Sequence, residues 1–253
     1  MTVMSQQFNF LNNGIHGCMG PMFLRRPAFH GIHMVQPSIA PMIRAKDGSE
    51  SLEHIGRMEH GTIIAVGSGK QGKSCSLHSL IDRCFRDRPR YFLDSSDFDH
   101  TIFPDYEKVS NPDDIPVGSI AILEDVNRRF HSRGSSSDPT LQKWLGVISH
   151  KDIVVCLTTQ SMADTDISFL RSQDTIILGK YMHPEDLEFE RREFRSLQMA
   201  ANHWIDRCSS SFREKDRRSW CFFPRFNECV SIPSVGWWDY EHSHMLRDVR
   251  VCS

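Results

Sequence analysis

Between positions 67 and 75 the chain reads Gly67-Ser-Gly-Lys-Gln-Gly-Lys-Ser-Cys75, in which Gly67, Gly72, Lys73 and Ser74 keep the spacing G-x-x-x-x-G-K-[ST]. That spacing serves phosphate binding. Gly67 and Gly72 let the backbone turn without a Cβ clash, so the amides of Ser68, Gly69, Lys70 and Gln71, and on through Cys75, can face phosphate oxygens. A helix that starts here adds its unpaired N–H groups and the positive end of its dipole. Lys73 is expected to reach the β- and γ-phosphates of ATP, and the Ser74 hydroxyl to ligate Mg²⁺.

Two further groups have the chemistry to complete such a site. Ile120-Ala-Ile-Leu-Glu-Asp125 is a run of four apolar residues ending in two carboxylates, the form of a Walker B strand. One carboxylate at such a strand end can hold Mg²⁺ and the other can deprotonate an attacking water. Glu124 is assigned to the metal and Asp125 to the water. Gln160 ends the apolar run that starts at Asp152, and its amide can hydrogen-bond both the water and the γ-phosphate.

The elements around these groups must bring them together. Ile63 to Val66 read as a short buried strand, and Leu77, Leu80, Ile81, Cys84 and Phe85 mark one face of a helix. Further strands are expected at 90–94, 119–126, 152–160 and 174–178, with a strand ending in a turn at 43–49. Helices are expected with Leu141, Trp144, Leu145 and Ile148 on one face, briefly over 161–171, and as a single long amphipathic element from Pro184 to Cys208. Residues 95 to 118 carry Pro104, Pro112 and Pro116 and read mostly as loop and short turns. A hairpin is expected over 220–233, ahead of Trp237-Trp238. Alternating strands and helices imply an α/β fold whose mostly parallel sheet is covered on both faces, with ligands at the carboxyl ends of the strands. The phosphate loop, Glu124-Asp125 and Gln160 all fall at such ends.

The totals exclude several classes. The chain has 253 residues, 39% hydrophobic and 25% charged, enough for one large α/β domain with a small appendage. No apolar run is long enough for a transmembrane helix, and the first residues lack the basic and apolar regions of a signal peptide. Eight dispersed cysteines without C-x-x-C suggest reduced thiols and no zinc site, and His242-x-His244 lacks metal-binding partners. A net charge of −2 gives no global sign of nucleic-acid binding, so any basic surface must be local. The loop Asn127 to Ser137, with Arg128, Arg129 and Arg133 among small polar residues, suits contact with DNA phosphates.

Gly67 to Ser74, Ile122-Leu-Glu-Asp125 and Leu157-Thr-Thr-Gln160, in this order and spacing, resemble the FtsK/HerA superfamily of P-loop ATPases. More narrowly, the chain is similar to the genome-packaging ATPases of tailless, membrane-containing icosahedral viruses. The features shared with them are its short length, Glu124-Asp-Val-x-Arg128, His150-Lys-Asp152 and the Trp237-Trp238 ending. The resemblance implies a RecA-like P-loop NTPase fold over residues 43–240, an irregular N-terminal arm over 1–42 and a tail over 241–253. It implies an ATPase that pumps double-stranded DNA as a pentameric or hexameric ring, in the host cytoplasm or with the virion. The arm is then free to contact a capsid or membrane vertex. The relatives place Asp before Glu in the Walker B pair, and here that order is inverted. Such rings complete each site with a neighbour's arginine. Arg171 is the first candidate, with Arg128, Arg129 and Arg133 as alternatives. A cellular or plasmid DNA pump, a morphogenesis ATPase and a small-molecule kinase are the rival readings.

Overall fold

The computed structural model describes residues 49–93, 99–126, 150–165, 169, 174–209 and 217–246. The arm over 1–42, the strand expected over 43–48, the basic loop 127–137, the helix around Leu141 to Ile148, Arg171 and residues 247–253 lie outside the described residues.

The described residues form one sheet of eight strands in the order β3-β2-β4-β5-β1-β6-β7-β8. The strands are β1 (Gly61–Val66), β2 (Arg90–Leu93), β3 (Tyr106–Val109), β4 (Ile120–Leu123), β5 (Val154–Thr159), β6 (Thr175–Gly179), β7 (Trp220–Phe223) and β8 (Glu228–Ser231). From β3 to β6 all neighbours pair in parallel, and the β6–β7 and β7–β8 pairings are antiparallel. β1 lies inside the sheet with all six residues buried, which is why it reads as a continuous apolar run. β5 stands between β1 and β4, so the strand that ends before Gln160 separates the phosphate loop from the two acids.

The two-residue alternation of β1 divides the core between the faces of the sheet. Ile63 and Ala65 pack with Leu52 and Ile55 of α1 (Glu50–Gly56) and with Leu77, Leu80 and Ile81 of α2 (Lys73–Cys84). Ile64 and Val66 pack with Leu157, Met162, Phe169 and Phe194 on the other face. Burying one such Ile or Leu side chain contributes about 1.5–3 kcal/mol. The described cysteines are free thiols, and burial pushes Cys84 up to about 11.

Two expectations need correction. The single helix from Pro184 to Cys208 is two, α3 (Pro184–Phe189) and α4 (Arg192–Cys208), with extended backbone at Glu190 and Arg191. Tertiary hydrogen bonds cause the break. The buried Glu190 carboxylate accepts from the Met162 amide at 2.9 Å and from Ser161 Oγ at 3.2 Å, while Arg191 donates to the carbonyls of Ala163 and Thr165. Arg195 then donates to the Glu188 and Glu190 carbonyls that the interrupted helix leaves open. Second, the stretch 95–118 contains β3, an edge strand whose half-exposed Tyr-Glu-Lys-Val gave no apolar run to read. Of the short helix and turn expected over 161–171, residues 161–165 form a turn closed on Ser161, whose hydroxyl accepts from the Ala163 amide and whose carbonyl accepts from Thr165 Oγ1; most of the rest lies outside the described residues.

Helix α1 had no expectation at all. Its first turn is held from 177 or more residues away by the buried carboxylate of Glu228, which accepts from the Glu50 and Ser51 amides and from the hydroxyls of Ser49 and Ser51.

Candidate nucleotide-binding site

The loop between β1 and α2 leaves the carboxyl end of an interior strand, where parallel sheets place their ligands. Its two motif glycines answer to different constraints. A Cβ on Gly67 would lie 2.7 Å from Lys180 Cβ and 2.9 Å from the Tyr181 carbonyl, so close approach to the segment after β6 demands glycine. Gly72 has φ 76°, the left-handed conformation, and a Cβ there would also meet the Arg218 carbonyl at 3.0 Å. Gly72 is the N-cap of α2 and no side chain caps the helix, so the first amides of a twelve-residue helix are left for an anion.

The segment following β6 braces the loop. The Ser68 amide donates to the Tyr181 carbonyl, the His183 amide donates to Ser68 Oγ at 2.7 Å, and Ser68 Oγ donates to Asp186 at the start of α3. Lys180, fully buried, donates through Nζ to Ser76 Oγ at 2.8 Å and to the carbonyls of Arg218 and Trp220. It ties α2 to β7 beneath the loop. Lys73 is itself buried and donates to the Ser68 carbonyl at 3.0 Å. Burial pulls its ammonium below the usual lysine range, and the charges of Asp125 and Glu124 oppose that pull.

Glu124 follows β4 directly and its side chain is 4% exposed. Its Oε2 accepts from Ser74 Oγ at 2.8 Å and from Thr158 Oγ1 at 2.6 Å, while Oε1 faces His78 Nε2 at 3.1 Å. Burial alone would raise this carboxyl, but the His78 bond and charge, with the Thr158 and Ser74 hydroxyls, hold it below the ordinary glutamate range. It is a carboxylate at neutral pH, set against the one hydroxyl that the loop offers a metal. Asp125 has φ 46° and its amide donates to Thr158 Oγ1 at 2.8 Å, which turns the chain sharply at the strand end. Gln160 is exposed and emerges one residue beyond Thr159, the register partner of Val66, at the level where the loop begins.

Lys73, Ser74, Glu124 and Asp125 therefore converge, Gln160 ends the strand between the loop and the acids, and Arg171 is undescribed. The sequence reading missed Thr158, His78 and Lys180. Thr158 lies two residues before Gln160 on the same face of β5, and His78 lies one helical turn after Ser74. Both signals were periodic and present. Lys180, buried at the end of an apolar strand, carried none.

The donors suit a hard divalent ion. A hydroxyl and an ionised carboxylate 2.8 Å apart are oxygen ligands, as Mg²⁺ requires, and the uncapped α2 terminus suits the phosphates that would share it. Among the described residues no cluster of three or more His, Cys, Asp or Glu could hold a metal. Nor is any described helix long and apolar enough to cross a membrane.

A mostly parallel sheet, a glycine-rich loop leaving an interior strand and an intervening strand before the acids define an α/β fold of the P-loop type. The chain is similar to the genome packaging NTPase B204 of Sulfolobus turreted icosahedral virus 2 in complex with ATP-gammaS, at 12% identity and a TM-score of 0.44, over 71% of this chain and 99% of that one. Against the same NTPase with AMPPCP the identity is 14% and the TM-score 0.45, over 70% of this chain and 99% of that one. The N-terminal domain of zonular occludens toxin from Neisseria meningitidis matches at 19% identity and a TM-score of 0.35, over 48% of this chain and 78% of that domain. No protein-family model and no curated protein matches the chain.

Proposed function

We propose that this chain is an ATPase that translocates double-stranded DNA, acting as a ring in the packaging of a viral genome. The observation that carries the ATPase reading is the meeting of Ser74 and Glu124, 2.8 Å apart, beside an uncapped helix terminus and the buried Lys73. The translocase reading rests on the order and spacing of the three motifs at 67–74, 122–125 and 157–160.

In this reading the amides of residues 69–75 hold the phosphates of ATP, while the Ser68 amide, expected from the sequence to join them, is committed to the Tyr181 carbonyl and braces the loop instead. Lys73 turns its Nζ from the Ser68 carbonyl onto the β- and γ-phosphate oxygens. Ser74 and Glu124 hold Mg²⁺, which when bound neutralises charge on the β- and γ-oxygens. Asp125 accepts the proton of the attacking water, and Gln160 orients that water against the γ-phosphate. A neighbour's arginine, Arg171 before Arg128, Arg129 or Arg133, stabilises the charge that builds in the transition state. The ATPase domain spans 43–240, with an arm over 1–42 for a capsid or membrane vertex and a tail over 241–253. The chain acts in the host cytoplasm or on the virion.

The test is phosphate release from Mg-ATP by wild type and by Lys73→Ala. Wild type should release inorganic phosphate to water, and the variant should fold yet lose hydrolysis. Hydrolysis near the wild-type rate in the variant, or transfer of phosphate to a small acceptor instead of water, would remove this reading.

A further inference from the structure

His78 is the one described histidine with no exposed surface, and a ring this polar is costly to bury without partners. It sits among five aromatic rings, with centroid distances of 5.7 Å to Phe92, 5.6 Å to Phe103, 5.2 Å to Tyr106, 6.2 Å to Trp237 and 5.1 Å to Trp238. Both ring nitrogens are nonetheless engaged. Nδ1 lies 2.8 Å from the Tyr106 hydroxyl and Nε2 lies 3.1 Å from Glu124 Oε1. An ionised carboxylate only accepts, so the proton of this pair is on Nε2. The Tyr106 hydroxyl completes the ring from β3, and Trp237-Trp238 close the cage from the far end of the chain.

The division of Glu124 between its partners gives this arrangement a purpose. Ser74 and Thr158 both bond Oε2, and among the described residues His78 bonds Oε1. With Oε1 pinned, the carboxylate cannot rotate about its last bond and Oε2 stays turned to Ser74. We propose that His78 is a positioning residue: it fixes Glu124 so that the carboxylate and the Ser74 hydroxyl present a divalent metal with a preformed pair of oxygens. The inference rests on the reading of Glu124 as the metal-side acid. It assigns a role to a histidine one helical turn beyond the phosphate loop, and makes the Trp237-Trp238 ending the wall that keeps its bond dry. In such a wall a hydrogen bond to a carboxylate is worth more than in water.

The chemistry of position 78 allows a clean contrast. Phenylalanine suits an aromatic cage but donates nothing; glutamine can place an amide N–H near the position of Nε2. The experiment uses the full chain with Mn²⁺ as the probe, titrated by its electron paramagnetic resonance signal in the presence of AMPPCP. Nucleotide binding in EDTA and the thermal midpoint are measured alongside. His78→Phe should weaken Mn²⁺ binding by roughly 10- to 100-fold, the usual cost of removing an outer partner of a metal ligand. Its nucleotide affinity in EDTA should stay at the wild-type level. His78→Gln should recover most of the Mn²⁺ affinity although it suits the cage less well. Tyr106→Phe, which removes a single hydroxyl, should weaken Mn²⁺ by roughly threefold to tenfold, the worth of one ordinary hydrogen bond.

A His78→Phe protein that binds Mn²⁺ as wild type does, while Glu124→Gln loses it, would overturn the positioning role alone. Glu124→Gln with wild-type Mn²⁺ affinity would overturn the reading of Glu124 and the role of His78 with it. Should His78→Phe fail to fold, unchanged Mn²⁺ binding in Tyr106→Phe would overturn the proposal.

Discussion

Glu124 and Asp125 are neighbours in sequence, yet the chain treats them differently. Three side chains converge on the Glu124 carboxylate, and the Asp125 amide donates to Thr158 at a turn with φ 46°. A fixed carboxylate suits a metal. Asp125, at the turn just beyond, is the acid assigned to the water, and on that assignment the two acids separate by phenotype. Asp125→Asn should bind Mg-ATP and hydrolyse it about 10²- to 10⁴-fold more slowly, the usual effect of removing a general base. Glu124→Gln should lose divalent-metal affinity first. Single-turnover hydrolysis and Mn²⁺ binding on both variants check this, and exchanged phenotypes would reverse the roles. Lys73, Ser74 and the acids were legible in the sequence because each belongs to a local pattern, a loop spacing or an apolar run ending in charge. Thr158 and His78 were not, because they matter only through contacts with Glu124 across 34 and 46 positions. The helical period placed His78 on the face of Ser74, but only the fold shows which strand end lies over that face.

Among the elements, local pattern succeeded where burial is symmetric and failed where a distant side chain decides. The fully buried β1, β4 and β5 were plain, and so was α2 behind its glycine-rich start. The break between α3 and α4 was hidden because Glu190 reads as an ordinary helical residue until Met162 and Ser161 are brought to it. Helix α1 carries a local cap in Ser49, but the Glu50 and Ser51 amides of its first turn are held by Glu228 from β8, which no local pattern shows. Although burial would raise the Glu228 carboxyl, bonds from Ser51, Ser49 and Glu50 hold it below the usual glutamate value. A carboxyl so depressed stabilises the fold in full above its unfolded value of about 4.3, and that contribution is lost as pH falls through the lower folded value. Glu228→Gln should therefore cost about 1–2 kcal/mol at neutral pH, with the gap to wild type closing in acid. Denaturant unfolding at pH 7 and at successively lower pH checks this; a gap that stays constant with pH would show that the charge on Glu228 contributes nothing.

At the scale of the whole molecule, one edge of the sheet collects the chemistry. The loop after β1, the acids after β4 and Gln160 after β5 leave the carboxyl ends of three adjacent parallel strands, and the segment after β6 braces the loop from the other side. A site open at one edge can be completed by a neighbouring subunit, which is how a ring would couple turnover to movement along a duplex. A motor of this kind grips the backbone of its track, so its hydrolysis should depend on DNA without regard to sequence. Each phosphate neutralised releases condensed counterions, so the affinity for duplex should fall with salt at about −0.9 per contact on a double-logarithmic plot. The most direct measurement is the steady-state rate of ATP hydrolysis by the assembled protein, with and without duplex DNA of unrelated sequences, over a range of salt. The account predicts that every duplex raises the rate, that the DNA needed for half-maximal stimulation climbs steeply with salt, and that dilution of the protein below its assembly range abolishes the effect. A rate that is the same with and without duplex, at low salt and on assembled protein, would contradict it.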